Sequence, residues 1–382
     1  MKKYIIFVVI TNRTNYSKLK LILKELKCKS NIDLKIIASS SILLEKYGAA
    51  YKDLESDGYK IDVAIDCTMM NDSHESMVNT VGLSMIKHSG YFTSLSPDLM
   101  VIVGDRFDTL ATAITGMMMN IPIAHIQGGE TTGTIDDKVR DLITIGSTLH
   151  FVSTAKSEER LRMIGVNKEC IFNFGCPAIE YISSLDTQNK FNVEKLGKSF
   201  KREIKINKDE NFFLILAHPD TTNKNDISID SILSAIEPYK HKALIFYPNI
   251  DANSSQLLSD ISKHKENHNY YFIKHMPLDG FVHAVAHAYC MVGNSSAGIR
   301  EAATFGTPVV NIGNRQNGRE RNNNTIDSLC DKDSIRSAID IAIGLKIKND
   351  NLYYKKDCSK NIVDQISLYL ELKHQESKMS DV

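Results

Sequence analysis

Carboxylates crowd one stretch of this chain. Asp105, Asp108, Glu130, Asp136 and Asp137 all fall within VIVGDRFDTLATAITGMMMNIPIAHIQGGETTGTIDDKVR, residues 101–140. Carboxylates gathered in a closed cleft raise one another's pKa, so that one can hold a proton near neutral pH. Such a set suits general acid/base chemistry. The plain alternative is that Asp136 caps a helix and that Arg106 or Arg140 neutralises its neighbours. A second set is hydroxylic and basic. Asn294-Ser295-Ser296-Ala297-Gly298 stands between an apolar run and a helical stretch. Small residues admit a ligand to the backbone, and helix-start N–H groups attract an anion, phosphate above all. An ordinary N-cap serine has the same sequence signature. Glu301 lies one to two turns further on, placed for a ribose hydroxyl pair or simply for solvent. Arg315, Arg319 and Arg321 lie on the next loop, where guanidiniums can clamp a diphosphate. His218 ends another apolar run. His125 lies inside one and reads as a hydrogen-bonded core histidine, and Met117 to Met119 read as helix-face packing.

These groups need elements that bring them to one place. Apolar runs at 4–10, 33–38, 61–66, 99–103, 121–126, 149–152 and 170–173 read as strands, with helices over 74–88, 135–146 and 155–164. Leu19, Ile22, Leu23 and Leu26 recur at helical spacing after the first strand. Strands alternating with helices mean βαβ units and a parallel sheet covered on both faces. The pattern breaks at 175–180 (GCPAIE), and 184–210 is polar and lysine-rich. It restarts with 212–217, ending in His218-Pro219-Asp220, and 243–247, ending in Pro248-Asn249. Then come 270–273, a helix over 278–288, and strands at 289–293 and 308–312. In open α/β sheets, ligands bind at the carboxyl ends of the strands, and the polar groups above all follow apolar runs. The expected fold is therefore α/β, two doubly wound domains facing a cleft. The first spans 1–180 and the second 181–360, with an amphipathic helix after them at about 361–373.

At 382 residues the chain is too long for one ordinary core. With 42% hydrophobic and 24% charged residues it has the composition of a globular protein. Lys+Arg and Asp+Glu are 46 each, so no net charge draws it to nucleic acid or to an anionic membrane. The seven cysteines are dispersed with no CxxC, which argues against a disulfide framework or zinc site and for the cytoplasm. No apolar stretch has the length of a membrane span. GGETTG is not a Walker loop and no GxGxxG follows the first strand, so nicotinamide cofactors and P-loop hydrolysis are not expected.

Taken in order, GDRFDTLA, IPIAHIQGGETTGTIDDKVR, LHFVST, GCPAIE, the His-Pro strand end and GNSSAGIREAATFGTPVVNIGNRQNGRER resemble the UDP-N-acetylglucosamine 2-epimerase family, in particular its hydrolysing branch. The resemblance covers roughly residues 1–345. It implies a glycosyltransferase-B fold of two Rossmann-like domains, the first completed by the C-terminal helix at 361–375, and a nucleotide-sugar substrate, with no metal and no cofactor. It also implies a homo-oligomer, dimer or tetramer. It implies nucleotide and diphosphate contacts for Arg13, Ser295, Ser296, Glu301, Arg315 and Arg319, and catalytic positions at Asp105, Asp136 and His218. Gln127 stands where many members carry a catalytic glutamate, a role that Glu130 or Asp136 would then cover. Asn12 replaces a common glycine. The expected substrate is UDP-N-acetylglucosamine or, as Gln127 hints, a 2,4-diacetamido-2,4,6-trideoxy sugar on UDP or GDP. The expected reaction is elimination to a 2-acetamidoglucal followed by addition of water, supplying sialic or legionaminic acid synthesis. A non-hydrolysing epimerase, a glycosyltransferase and a binding module without turnover are the alternatives.

Overall fold

The computed structural model describes residues 3–45, 49–69, 73–187, 189–196, 203–219, 227–248, 254–348 and 350–380. Asp220 and Asn249 lie outside them. The first sheet carries β1 (Tyr4–Ile10), β2 (Ile32–Ser39), β3 (Val63–Ile65), β4 (Leu99–Val103), β5 (Ile123–Ile126), β6 (Leu149–Val152) and β7 (Ile171–Asn173). Its order is β3-β2-β1-β4-β5-β6-β7, all parallel. The second sheet carries β8 (Phe212–Leu216), β9 (Lys242–Phe246), β10 (Tyr270–Ile273), β11 (Cys290–Gly293), β12 (Val309–Ile312) and β13 (Thr325–Ser328). Its order is β10-β9-β8-β11-β12-β13, again parallel. Both are doubly wound, and each reverses strand order once, between β1 and β4 and between β8 and β11. The crevice at such a reversal is where open α/β sheets bind ligands.

Helices cover both faces. The first half carries α1 (Arg13–Lys27), α2 (Tyr51–Ser56), α3 (His74–Leu95), α4 (Phe107–Met118), α5 (Ile135–Ile145), α6 (Ala155–Met163) and α7 (Pro177–Ser183). The second carries α8 (Ile229–Ile236), α9 (Ser254–Lys263), α10 (Leu278–His287), α11 (Ser296–Ile299), α12 (Lys332–Ile343) and α13 (Cys358–Ser380). Strand alternation divides the first core. Ile6, Val8 and Ile10 pack with Leu19, Leu23 and Leu26 of α1, and Phe7 and Val9 pack with Phe92 of α3 and Ala113 of α4. The α13 helix returns to the first sheet and buries Cys358, Ile362, Val363 and Ile366 there. It is longer than the sequence pattern indicates at both ends.

The α3 helix runs a further two turns past the expected 88. Gly82 and Gly90 interrupt its pattern, but the space beside each is open, so they weaken the helix without ending it. Met117 and Met118, read as packing residues, are 41% and 70% exposed. Met119, the C-cap of α4, is partly buried and packs against the core as expected. Among the described residues no helix is long and apolar enough to cross a membrane.

Candidate active site

The two strand-order reversals face each other across a cavity of about 180 Å³. Its walls include Arg13 and Lys18 from α1, Asp105 and Arg106 after β4, and Asp136 from α5. From the other sheet come His218 after β8, Ser295, Ser296 and Glu301 after β11, and Arg315 after β12. Phe246, Met276, Leu278 and Phe281 form an apolar end.

Each polar group is aimed by local structure. Asn12 has an extended backbone and caps α1, its side chain accepting from the N–H groups of Thr14 and Asn15 at 3.1 Å each. A glycine is therefore not required in that turn. The Arg13 guanidinium donates to the carbonyls of Lys274 at 3.0 Å and Tyr247 at 3.4 Å, crossing the cleft to the ends of β10 and β9. Burial and the neighbouring Arg106 lower its pKa to about 10. Gly104 turns the chain with φ +90° and delivers Asp105. Thr134, not Asp136, caps α5 by accepting from the Asp136 N–H. Asp136, in the first turn, lines the cavity.

On the opposite wall Asn294 ties two strand ends together. It accepts from the His218 N–H at 2.8 Å and donates to the His218 carbonyl at 2.7 Å. Gly293 makes this possible, because a Cβ there would collide with the Leu216 carbonyl. Ser295 caps α11, accepting from the Ala297 N–H, so the N-cap and the cavity-lining roles coexist. One carboxylate oxygen of Glu301 is buried at the cavity wall and bonds to no protein group among the described residues.

The electrostatics correct the expectation that the carboxylates raise one another's pKa. Arg140 is fully buried on α5 and pairs with both Asp105 and Asp137, the latter at 2.8 Å. Burial alone would raise Asp105, but Arg140, Lys18 and Arg319 outweigh it and hold the group well below the ordinary carboxylate range. Glu130 is likewise lowered, to about 2, because Arg300, Arg319 and Arg140 overcome its burial. Asp137 is lowered too, its burial offset by the N–H of Gly133, the hydroxyl and N–H of Thr132, and Arg140. Arg140, the neighbour weighed in the sequence, acts with Arg300 and Arg319 to cancel the repulsion that clustering implies. His125 is the expected core histidine, bonded to the Gly104 carbonyl at 2.9 Å and to Thr144 at 3.2 Å. Burial pushes it down to about 3.

A family model for UDP-N-acetylglucosamine 2-epimerase matches residues 24–367. The chain belongs to this epimerase family. It is 32% identical over 356 residues to UDP-N,N'-diacetylbacillosamine 2-epimerase (hydrolyzing) of Legionella pneumophila, covering 92% of each chain. It is 34% identical over 335 residues to GDP/UDP-N,N'-diacetylbacillosamine 2-epimerase (hydrolyzing) of Campylobacter jejuni, covering 86% of this chain and 85% of that one. The fold matches that of UDP-GlcNAc 2-epimerase from Neisseria meningitidis bound to UDP-GlcNAc, with a TM-score of 0.77 at 17% identity over 95% of this chain and 99% of that one. The architecture is thus glycosyltransferase-B-like.

Within this epimerase-family frame, four expected residues do not face the cavity. Arg319 turns away to Glu130 and to Gln316 Oε1 at 2.9 Å. Arg321 pairs with Asp327. Of the three loop arginines, only Arg315 reaches the cavity. Glu130 is buried between Arg300 and Arg319. Gln127 has φ +68°, is 3% exposed, and donates to Cys176 Sγ at 3.1 Å.

Sequence reasoning missed Lys18, Arg300, Asp53 and His275. Lys18 had a signal. Arg13, Thr14, Ser17 and Lys18 form the polar stripe of α1 opposite Leu19, Ile22 and Leu23, at the strand-order reversal. His275 meets Asp53 at 2.8 Å across the cleft, and no sequence pattern links those two. Arg300 lies next to Glu301 but is 2% exposed, and only the fold reveals its partners.

Proposed function

We propose that this chain is a hydrolysing nucleotide-sugar 2-epimerase. It converts UDP-2,4-diacetamido-2,4,6-trideoxyglucose (diacetylbacillosamine) to the free manno-configured sugar and UDP. The observation that carries this reading is the 32% and 34% identity, over most of the chain, to two enzymes named as hydrolysing diacetylbacillosamine 2-epimerases. The relative named polysialic acid biosynthesis protein P7 of Escherichia coli, 27% identical over 99% of this chain, supports a place in nonulosonic acid synthesis of the sialic or legionaminic type. Seven free cysteines suit a cytoplasmic setting.

In this scheme Arg13, Ser295, Ser296 and Arg315 hold the diphosphate, and Glu301 takes the ribose hydroxyls. Asp105 enters ionised, since its neighbours hold its pKa low, and accepts the C2 proton. The C1–O bond breaks, its electron pair leaves with UDP, and a C1=C2 double bond forms. Arg315 and His218 support the departing charge. Asp136 then delivers a proton to C2 from the opposite face, water adds its oxygen at C1 and gives up a proton that restores Asp136, and Asp105 releases the abstracted proton to solvent. Glu130 stays ionised between its arginines and holds the two loops together. Gln127 influences the sugar from behind the cavity wall, through Cys176 and Arg300. The chain assembles as a homo-oligomer through α3, α4 and α5, where Ile86, Met118, Leu142 and Ile145 are 58–73% exposed.

The test offers the 2-acetamidoglucal to Asp105→Asn and Asp136→Asn. Both variants are expected to bind UDP and to fail on the nucleotide sugar. Asp136→Asn alone is expected to fail to protonate the glucal. If both hydrate the glucal at the wild-type rate, the assignment of the two carboxylates falls. Offering the GDP-linked sugar and plain UDP-GlcNAc in parallel decides between the nucleotides and between the sugars.

A further inference from the structure

Arg300 closes α11, the short helix begun by Ser295 and Ser296, yet its side chain points away from the cavity and into the other half of the molecule. Its Nη1 donates to Glu130 Oε1 at 2.6 Å and Oε2 at 2.7 Å. Its Nη2 donates to Cys176 Sγ at 2.7 Å. The guanidinium lies 4.7 Å from the centroid of the Tyr353 ring, a cation–π distance. The Arg300 carbonyl accepts from Asn351 Nδ2 at 2.6 Å. Three of these partners matter most. Glu130 and Cys176 follow strands of the first sheet, and Tyr353 precedes the helix that returns the chain to it.

The network continues to both sets of reacting groups. The backbone carbonyl of Glu130 accepts from Arg140, whose other nitrogen pairs with Asp105. The Glu130 carboxylate also takes Arg319, which bonds to Gln316 Oε1. Gln316 in turn donates to the Asn294 carbonyl at 3.1 Å, and Asn294 holds His218. We infer that Arg300 is a positioning residue that sets the register between the diphosphate-binding turn in one domain and the proton-transfer carboxylate in the other. Among the described residues, it does so as the one side chain that bonds both Glu130 and Cys176 while sitting on the same short segment as Ser295, Ser296 and Glu301. An arginine suits this place because its planar fork serves two acceptors and stacks on a ring at once, which a lysine cannot do. Gln127, which donates to the same sulfur, completes the cluster. The inference rests on the reading of the cavity given under the proposed function.

The test uses Arg300→Lys, with Cys176→Ala and Cys176→Ser as milder variants that withdraw or preserve one acceptor. A small misplacement of reacting groups lowers turnover by up to about 100-fold. Arg300→Lys is expected to lose about 10- to 100-fold in kcat, with the affinity for UDP changed less than about threefold, since every proposed nucleotide group except Arg13 stays in the second domain. C2 deuterium exchange is expected to fall in step with kcat. Cys176→Ala falls in the same direction by less, and Cys176→Ser lies between it and wild type. X-ray scattering of the ligand-free protein is expected to show a larger radius of gyration for Arg300→Lys, or for Cys176→Ala should the former not fold. Unchanged kcat per folded molecule with an unchanged radius overturns the inference. So does a loss of UDP affinity as large as the loss in kcat, which would make Arg300 a nucleotide-binding group only. A wild-type protein that binds UDP but releases no sugar fails the proposed function instead, and the scattering comparison still decides the role of Arg300.

Discussion

Replacing Arg140 by methionine keeps the bulk of a buried side chain and removes the charge that holds three acceptors. Arg140 donates to Asp105, to Asp137 at 2.8 Å, and to the carbonyl of Glu130. Removing one partner of a buried ion pair costs about 3–5 kcal/mol, because the remaining charge is left uncompensated. The Asp105 and Asp137 side chains are 21% and 20% exposed, so solvent screens part of that charge and the lower end, about 3 kcal/mol, is expected. For a domain of this size that lowers Tm by about 6–12 °C. The same change acts on catalysis. Without Arg140, the burial of Asp105 is opposed chiefly by Lys18 and Arg319, so its pKa rises. A depressed carboxylate stabilises the fold at pH values above its unfolded pKa, and that stability is lost as pH falls through the folded value. Removing Arg140 forfeits this contribution and moves the acid limb of the kcat/KM profile toward higher pH. Urea denaturation at neutral pH and a pH–rate profile measure the two effects. A stability loss under about 1 kcal/mol, or an unmoved acid limb, would refute the reasoning.

Three further outcomes are expected. Glu301→Gln replaces a buried charged acceptor with a neutral one, and a hydrogen bond to a charged group contributes about 1.5–3 kcal/mol. Calorimetry should therefore find UDP bound about tenfold or more weakly, whereas an unchanged Kd would remove Glu301 from the ribose. His283 is pushed down to about 4 by burial, then by His287 and Lys195, and its Nε2 accepts from the Asn192 N–H at 2.9 Å. The neutral ring therefore stabilises the fold above pH 6.5, and the denaturation midpoint should drop as pH falls from 6.5 to 4, a slope that His283→Phe should flatten. If α3 to α5 form the contact between copies, light scattering should show a dimer or tetramer that Ile86→Lys with Ile145→Lys dissociates, and a wild-type monomer would contradict that reading.

Much of the fold could be read from the chain because parallel strands buried on both faces leave near-continuous apolar runs. Tyr4–Ile10 and Phe212–Leu216 are of that kind. The edge strand Thr325–Ser328 is polar and only partly buried, so it left no such trace. The helices 229–236 and 332–343 carry apolar stripes that were not singled out, since no chemistry followed from them. The cavity residues could be read as a set because each follows a strand, and strand order then brings them together at the two reversals. Charge compensation could be read only in part. Arg140 stands beside Asp137 in the sequence and reads as a neutralising neighbour, whereas Arg300 and Arg319 reach Glu130 from distant positions. Arg315 and Arg319 look equivalent on one loop, yet one faces the cavity and the other faces Glu130.

The central claim is that this cleft epimerises at C2 and releases free sugar. The direct measurement is incubation of the purified protein with UDP-diacetylbacillosamine in heavy water, followed by NMR of the products. The account predicts UDP, free manno-configured sugar, and one deuterium at C2. An intact nucleotide sugar epimerised at C2, or free sugar of unchanged configuration with hydrogen retained at C2, would contradict it.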